Sequence, residues 1–145
     1  MIALIQRVKH ANVVVSGEEI ARIGEGVLVL LGIEKHDNAV NGDKLIHKVL
    51  GYRIFEDDQN KMNLSVQDIQ GEVLLVPQFT LAADTKSGLR PGFSSAATPQ
   101  DAKTWFDYTA NKCQEILGTV QLGEFGADMQ IGLLNNGPVT FWLQI

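Results

Sequence analysis

Cysteine is almost missing from this chain: Cys113 stands alone among 145 residues, which excludes an internal disulfide. Histidine is nearly as scarce. His10, His36 and His47 lie far apart and form no His/Cys spacing of the zinc type, so neither a metal nor another cofactor is expected. A Ser/His/Asp or Cys/His hydrolase needs a histidine in an apolar surround, and none is evident. His10 and His36 adjoin lysines in stretches that read as turns, while His47 sits four residues from Asp43 on a helical stretch, an ordinary surface pairing. Long hydrophobic runs are absent as well. Nothing approaches the roughly 20 apolar residues of a membrane-spanning helix, and the opening MIALIQRVKH is too short and too soon charged for a secretory signal. A cytoplasmic protein with no membrane partner is expected. Basic charge is outnumbered, 12 Lys and Arg against 17 Asp and Glu, and the net −5 argues against a broad nucleic-acid-binding face. Any nucleic acid must be gripped locally, at clusters such as Arg7 with Lys9 or Lys86 with Arg90, although clusters of this kind are most often solvated faces.

What is present is an ordinary globular composition, 45% apolar and 20% charged, with no repeat, low-complexity tract or linker. One domain over residues 1–145 follows. MIALIQRV alternates, and NVVVSGEEIARI places two strand-like runs on either side of Ser16-Gly17, a tight-turn signal. Val27 to Ile33 is apolar on both faces and reads as a central strand. The period then changes. Leu45, Ile46, Val49 and Leu50 mark an amphipathic helix capped by Asp37 or Asn38, with Gly51 expected just past its end. A second helix opens on Thr98-Pro99 with Asp101 completing the box. Its stripe is Ala102, Trp105, Phe106, Thr109, Cys113, Ile116 and Leu117, before Gly118. Cys113 on that stripe is a packing residue rather than a nucleophile. Glu56, Asp57 and Asp58, among Gln59, Asn60 and Lys61, read as an exposed turn rather than a paired-carboxylate site. Asn136-Gly137 between alternating apolar runs predicts a terminal β-hairpin.

Two segments fit these patterns badly. Val73-Leu74-Leu75-Val76 reads as a buried strand, yet Pro77-Gln78-Phe79-Thr80 follows, and an amide and a hydroxyl at a buried strand end cost free energy unless they serve the fold or a ligand. At the chain's end Pro138, directly after Gly137, cannot donate to a ladder. It is either a turn proline or part of a cis X-Pro bond, a form taken by only a few per cent of such bonds.

On these residues the chain resembles the D-aminoacyl-tRNA deacylases of the bacterial D-tyrosyl-tRNA type. The resemblance rests on PQFTLAAD with NNGPVTFWLQI, and on MIALIQRV, VLVLLGIEK, LGYRIFEDDQNKMNLSV and ADMQI, so that it runs from Met1 to Ile145. It implies an α+β fold, a barrel-like, mostly antiparallel β-sheet core flanked by two main helices, in a homodimer with its active site at the subunit interface. It further implies hydrolysis of the ester of D-aminoacyl-tRNA, and of glycine misplaced on tRNA, without a metal or cofactor. The partner so implied is the 3′ end of aminoacyl-tRNA.

The roles of individual residues come from the same resemblance. Gly137-Pro138 is expected to be cis and to reach into the partner's pocket, its carbonyls facing the ligand's amino group and α-carbon and rejecting the L-isomer by clash. Arg7 is expected to fix that motif's orientation. Gln78, Phe79 and Thr80 match the catalytic motif: Phe79 to stack on the terminal adenine, N–H groups near Phe79 and Thr80 to hold an oxyanion, and Thr80 to act as nucleophile or positioner. The positioner role is favoured because no base is evident beside the hydroxyl. Pro77 departs from the family's Ser. It resembles instead a sister group of animal deacylases, with a Pro-Gln-Ala-Thr-Leu motif, that removes L-alanine from the wrong tRNA, whereas Phe79 and Arg7 side with the D-specific group. L-alanyl proofreading, and non-catalytic binding of aminoacyl-tRNA ends or a small ligand by a dimer, are the alternatives.

Overall fold

A computed structural model describes residues 1–86 and 88–145. In chain order the elements are β1 (Ile2–Val15), β2 (Glu18–Ile23), β3 (Gly26–Gly32), α1 (Ala39–Gly51), β4 (Phe55–Glu56), β5 (Met62–Leu64) and β6 (Glu72–Pro77). A one-turn 3₁₀ segment (Phe79–Ala82), α2 (Pro99–Leu117), β7 (Gln121–Leu122) and β8 (Met129–Gln144) complete them.

The sheet is organised around β1. On one side its first half pairs antiparallel with β3 and its second half with β2; on the other side β8 runs antiparallel along its whole length. β3 continues in parallel to β6, and β6 in parallel to β7. Because β2 comes back against β6 and β7, this mostly antiparallel sheet curls into a nearly closed barrel. β4 and β5 form a separate short ribbon. With α1 and α2 flanking the barrel, the architecture is α+β, as expected.

Strand alternation sorts the apolar side chains into two cores. Ala3, Ile5, Val27, Val29, Leu31, Val73 and Leu75 face the helices, where Leu45, Ile46, Val49, Leu50, Phe106 and Cys113 meet them. Val8, Val13, Ile23, Leu28, Leu74 and Val76 point the other way, into the barrel. This is why β3 and β6 are apolar on both faces. The caps follow the sequence too: Asn38 Oδ1 accepts from the N–H of Val40 and Asn41, and Thr98 Oγ1 accepts from that of Asp101. Ser16 (φ 50°) and Gly17 (φ 81°) make a two-residue corner between β1 and β2.

Four sequence expectations need correction. Residues 129–144 form one strand instead of a hairpin, because β1, 14 residues long, offers a continuous partner to both halves. Gln6 pairs with Thr140 and Val8 with Asn135, so two steps of β1 face five of β8 and the surplus residues are pushed out as a bulge. MIALIQRV and NVVV likewise belong to a single strand, which contains His10 rather than a turn. Gly51 is the last helical residue of α1, and Tyr52 caps it. Ile116, at the last turn of α2, is 50% exposed because that turn lies beside the surface loop at Gln67–Gly71 instead of over the sheet.

Candidate functional site

Gln78 to Thr80 leave β6 at the end of its pairing with β3. The last ladder bond is donated by Gln78 N–H to the Leu31 carbonyl (2.8 Å), and the chain then folds into the 3₁₀ turn. What holds the turn down is closeness to Gly32. A Cβ built there would lie 2.9 Å from Leu81 Cβ and 3.2 Å from the Gln78 carbonyl oxygen, so the turn packs directly on the Gly32 backbone and only glycine fits without displacement. Ala82 is buried beneath, while Phe79 (61% exposed) and Thr80 stand outward.

The Gln78 amide donates to the Thr80 hydroxyl oxygen (2.6 Å). With its oxygen so engaged, the hydroxyl's own proton is free to be donated outward. Among the described residues, the N–H groups of Phe79 and Thr80 donate to no protein acceptor, as the first amides of a helical turn cannot bond within it. They are available to an incoming oxygen.

Beside the turn lies a cavity of about 440 Å³, lined by Pro77, Gln78 and Phe79 together with Phe125, Met129, Ile131 and neighbouring small residues. No titratable side chain lines it among the described residues. Phe93 packs on the outward Phe79 ring, centroids 5.2 Å apart. Its loop is closed by paired backbone bonds between Asp84 and Gly92 (2.7 and 3.0 Å). Cys113 is fully buried and its thiol is pushed up to about 12 by desolvation, so it supplies no thiolate.

The second motif sits elsewhere on the same chain. The Gly137-Pro138 peptide is cis, and both residues are exposed at the tip of the β8 bulge. Gly137 has φ 139°, and a Cβ there would lie 2.7 Å from Val139 Cγ2 and 3.0 Å from Arg7 Nη2. Arg7 is buried (6% exposed) behind the bulge, donating from Nε to the Asn136 carbonyl (2.9 Å) and from Nη1 to the Ile54 carbonyl (2.7 Å). Arg7 and Asn136 line a separate cavity of about 340 Å³ with Lys9, Glu25 and Glu56.

The structure therefore brings Pro77, Gln78, Phe79 and Thr80 together, and separately Arg7, Gly137 and Pro138, but it does not join the two groups within one chain. Sequence reasoning missed Phe93 and the apolar lining from Phe125, Met129 and Ile131. Phe93 was legible only as a residue of the loop before α2, and Phe125, Met129 and Ile131 only as loop and strand residues that the return of the chain after α2 brings to the cavity.

Comparison with known proteins agrees along the full length. A family model described as D-Tyr-tRNA(Tyr) deacylase matches residues 4–144. A D-aminoacyl-tRNA deacylase of Haemophilus influenzae is 59% identical over 145 residues, covering all of both chains, and one of Erwinia tasmaniensis is 57% identical over the same span. Among solved structures, a c-Myc DNA Unwinding Element Binding Protein superposes with TM-score 0.96 at 37% identity, over 100% of this chain and 99% of that one. A probable eukaryotic D-amino acid tRNA deacylase superposes with TM-score 0.88 at 16% identity, over 99% and 98%, a likeness of fold.

Proposed function

This chain belongs to the D-Tyr-tRNA(Tyr) deacylase family, and from that premise we propose how it hydrolyses the ester of D-aminoacyl-tRNA: in a pocket assembled from two copies of itself. One observation carries the reading. The Gln78–Thr80 turn offers donors and an apolar cavity lined, among the described residues, by no group that reads chirality, while the exposed Gly137-Pro138 bulge does not line that cavity within its own chain. Each is half a site. In a homodimer the bulge of one subunit closes over the turn of the other.

In that pocket Phe79 stacks on the terminal adenine, a contact of about 1–3 kcal/mol, and the cavity beside it receives the nucleoside. The ester carbonyl lies over the turn, where the N–H groups of Phe79 and Thr80 meet the oxyanion formed when water adds. The C–O bond to the ribose then breaks, releasing free amino acid and tRNA. Among the described residues no base lines the cavity, so Thr80 positions the substrate through its hydroxyl proton, and the neighbouring 2′-hydroxyl of the terminal ribose helps to activate the water. The partner's Gly137-Pro138 carbonyls meet the substrate's amino group and α-carbon. They leave no room for an L side chain, whereas glycine, having none, is hydrolysed as well.

The enzyme grips only the 3′ end of its tRNA, consistent with a net charge of −5, and works in the cytoplasm. That charge also weighs against reading the chain as a DNA-binding protein by analogy with its solved relative. Pro77 supports a second reading. Its ring lines the cavity wall where a Ser hydroxyl would otherwise stand, so L-alanine mischarged on tRNA is the competing substrate.

The test is to incubate the protein with D-Tyr-tRNA, L-Tyr-tRNA, Gly-tRNA and mischarged L-Ala-tRNA and to follow amino-acid release. Rapid loss of the D and glycyl esters with both L-esters spared is expected. Release of L-Ala with D-Tyr spared would favour the second reading, and binding without release a non-catalytic role.

A further inference from the structure

The mechanism above uses the tip of the β8 bulge and leaves open what shapes its neck. Asn135 stands at that neck, half-buried, and spends both ends of its amide across it. Its Oδ1 accepts the Val139 N–H (2.8 Å) and its Nδ2 donates to Thr140 Oγ1 (2.8 Å). The same hydroxyl accepts from Gln6 Nε2 (3.3 Å), which ties the neck to β1. Val139 is anchored by burial, at 7% exposed, and Asn136 is drawn inward by Arg7. With residues 135, 136, 139 and 140 all held, only Gly137 and Pro138 are left to project.

We propose that Asn135 is a positioning residue for chiral selection: a clamp across the neck of the bulge that sets where the Gly137-Pro138 carbonyls stand in the partner's pocket. The clamp calls for a short planar group bearing one acceptor and one donor, which the Asn amide supplies. Alanine supplies neither. Aspartate keeps the acceptor for Val139 and recovers the second contact if the Thr140 hydroxyl rotates to donate to it, so Asn135→Asp should work only while Thr140 is present. Displacing a substrate-facing group by about 1 Å costs on the order of 100-fold in rate. A loosened clamp should also blunt rejection of the L-isomer, since rejection by clash depends on the carbonyls staying in place.

This inference rests on the activity assigned above, and its test separates the two. Rates on D-Tyr-tRNA and L-Tyr-tRNA are measured for wild type, Asn135→Ala, Asn135→Asp and Asn135→Asp/Thr140→Val, each checked for unchanged assembly size. Exchange of the Val139 amide is followed in parallel. Expected for Asn135→Ala are a Val139 amide exchanging at least about 10-fold faster, a D-rate lower by about 10- to 100-fold, and an L-to-D ratio raised at least about 10-fold. Asn135→Asp should restore the ratio and the double variant should not. An unchanged ratio in Asn135→Ala, whether its D-rate is kept or lost, overturns the clamp, as does a double variant that performs as well as Asn135→Asp. A wild type inactive on every ester sinks the assigned activity instead, and unchanged Val139 exchange in Asn135→Ala would then sink the clamp as well.

Discussion

The Gln78–Ala82 turn and the Asn135–Thr140 bulge are held in place by opposite means. The turn continues a buried parallel strand and rests on Gly32 backbone, so the barrel core fixes it. The bulge is surplus chain on a strand whose outer residues are exposed, held largely by side-chain hydrogen bonds from Gln6, Arg7, Asn135 and Thr140, with Val139 buried at its base. Substrate-facing geometry that comes from packing can be lost only by disturbing the fold. Geometry that comes from side-chain hydrogen bonds can be lost with the fold intact, and the two regions should therefore break differently.

The largest effect is expected at the bulge. Gly137→Ala places a methyl against Val139 and Arg7 at a φ that L-residues rarely adopt, and D-Tyr-tRNA hydrolysis should fall by about 100-fold or more. The melting temperature, followed by circular dichroism, should move by no more than a few degrees. Gly32→Val tests the other mode. Overpacking beneath the turn should cost about 1–3 kcal/mol of stability, read by urea denaturation, with activity falling alongside. An active, fully stable Gly32→Val would show that the core does not hold the turn.

Smaller effects sharpen the roles within the turn. If the hydroxyl positions substrate as proposed, Thr80→Ala should lose about 10-fold and retain substantial hydrolysis; complete loss with folding and binding intact would make Thr80 the nucleophile. Because no titratable side chain lines the cavity among the described residues, the single-turnover rate should show no inflection from a protein group between about pH 6 and 8. The smallest signal comes from Cys113. With its thiol pushed up to about 12 by burial, the folded state favours the neutral form and iodoacetamide should fail to label it at neutral pH. Labelling should stay negligible in Gly137→Ala and accelerate in Gly32→Val.

How far the sequence could be read follows the same division. Elements built by packing were legible: the two-sided apolar runs of β3 and β6, the helical stripes with their Asn38 and Thr98 caps, and the Ser16-Gly17 corner all carry local signals. The bulge was not, because Asn136-Gly137 gives a hairpin signal whose outcome depends on the length of β1, a strand more than a hundred residues away. Pro138 marked the place where the local signal failed. The cavity wall from Phe125, Met129 and Ile131 had no local signature either, since apolar residues that line a pocket look like any others in a strand. Residue roles came from resemblance to a family; chemistry alone left Gln78 and Thr80 undecided between fold and ligand.

The composite pocket is tested most directly by mixing subunits. Gly137→Ala, defective in the bulge, and a Gln78→Ala/Phe79→Ala variant, defective in the turn, are unfolded together and refolded as a mixture, and D-Tyr-tRNA hydrolysis is measured against each variant alone. If the walls come from different subunits, one site in each mixed dimer is intact, and activity should recover to about a quarter of wild type. A mixture no more active than its parents, with mixed dimers demonstrated to have formed, would contradict the account.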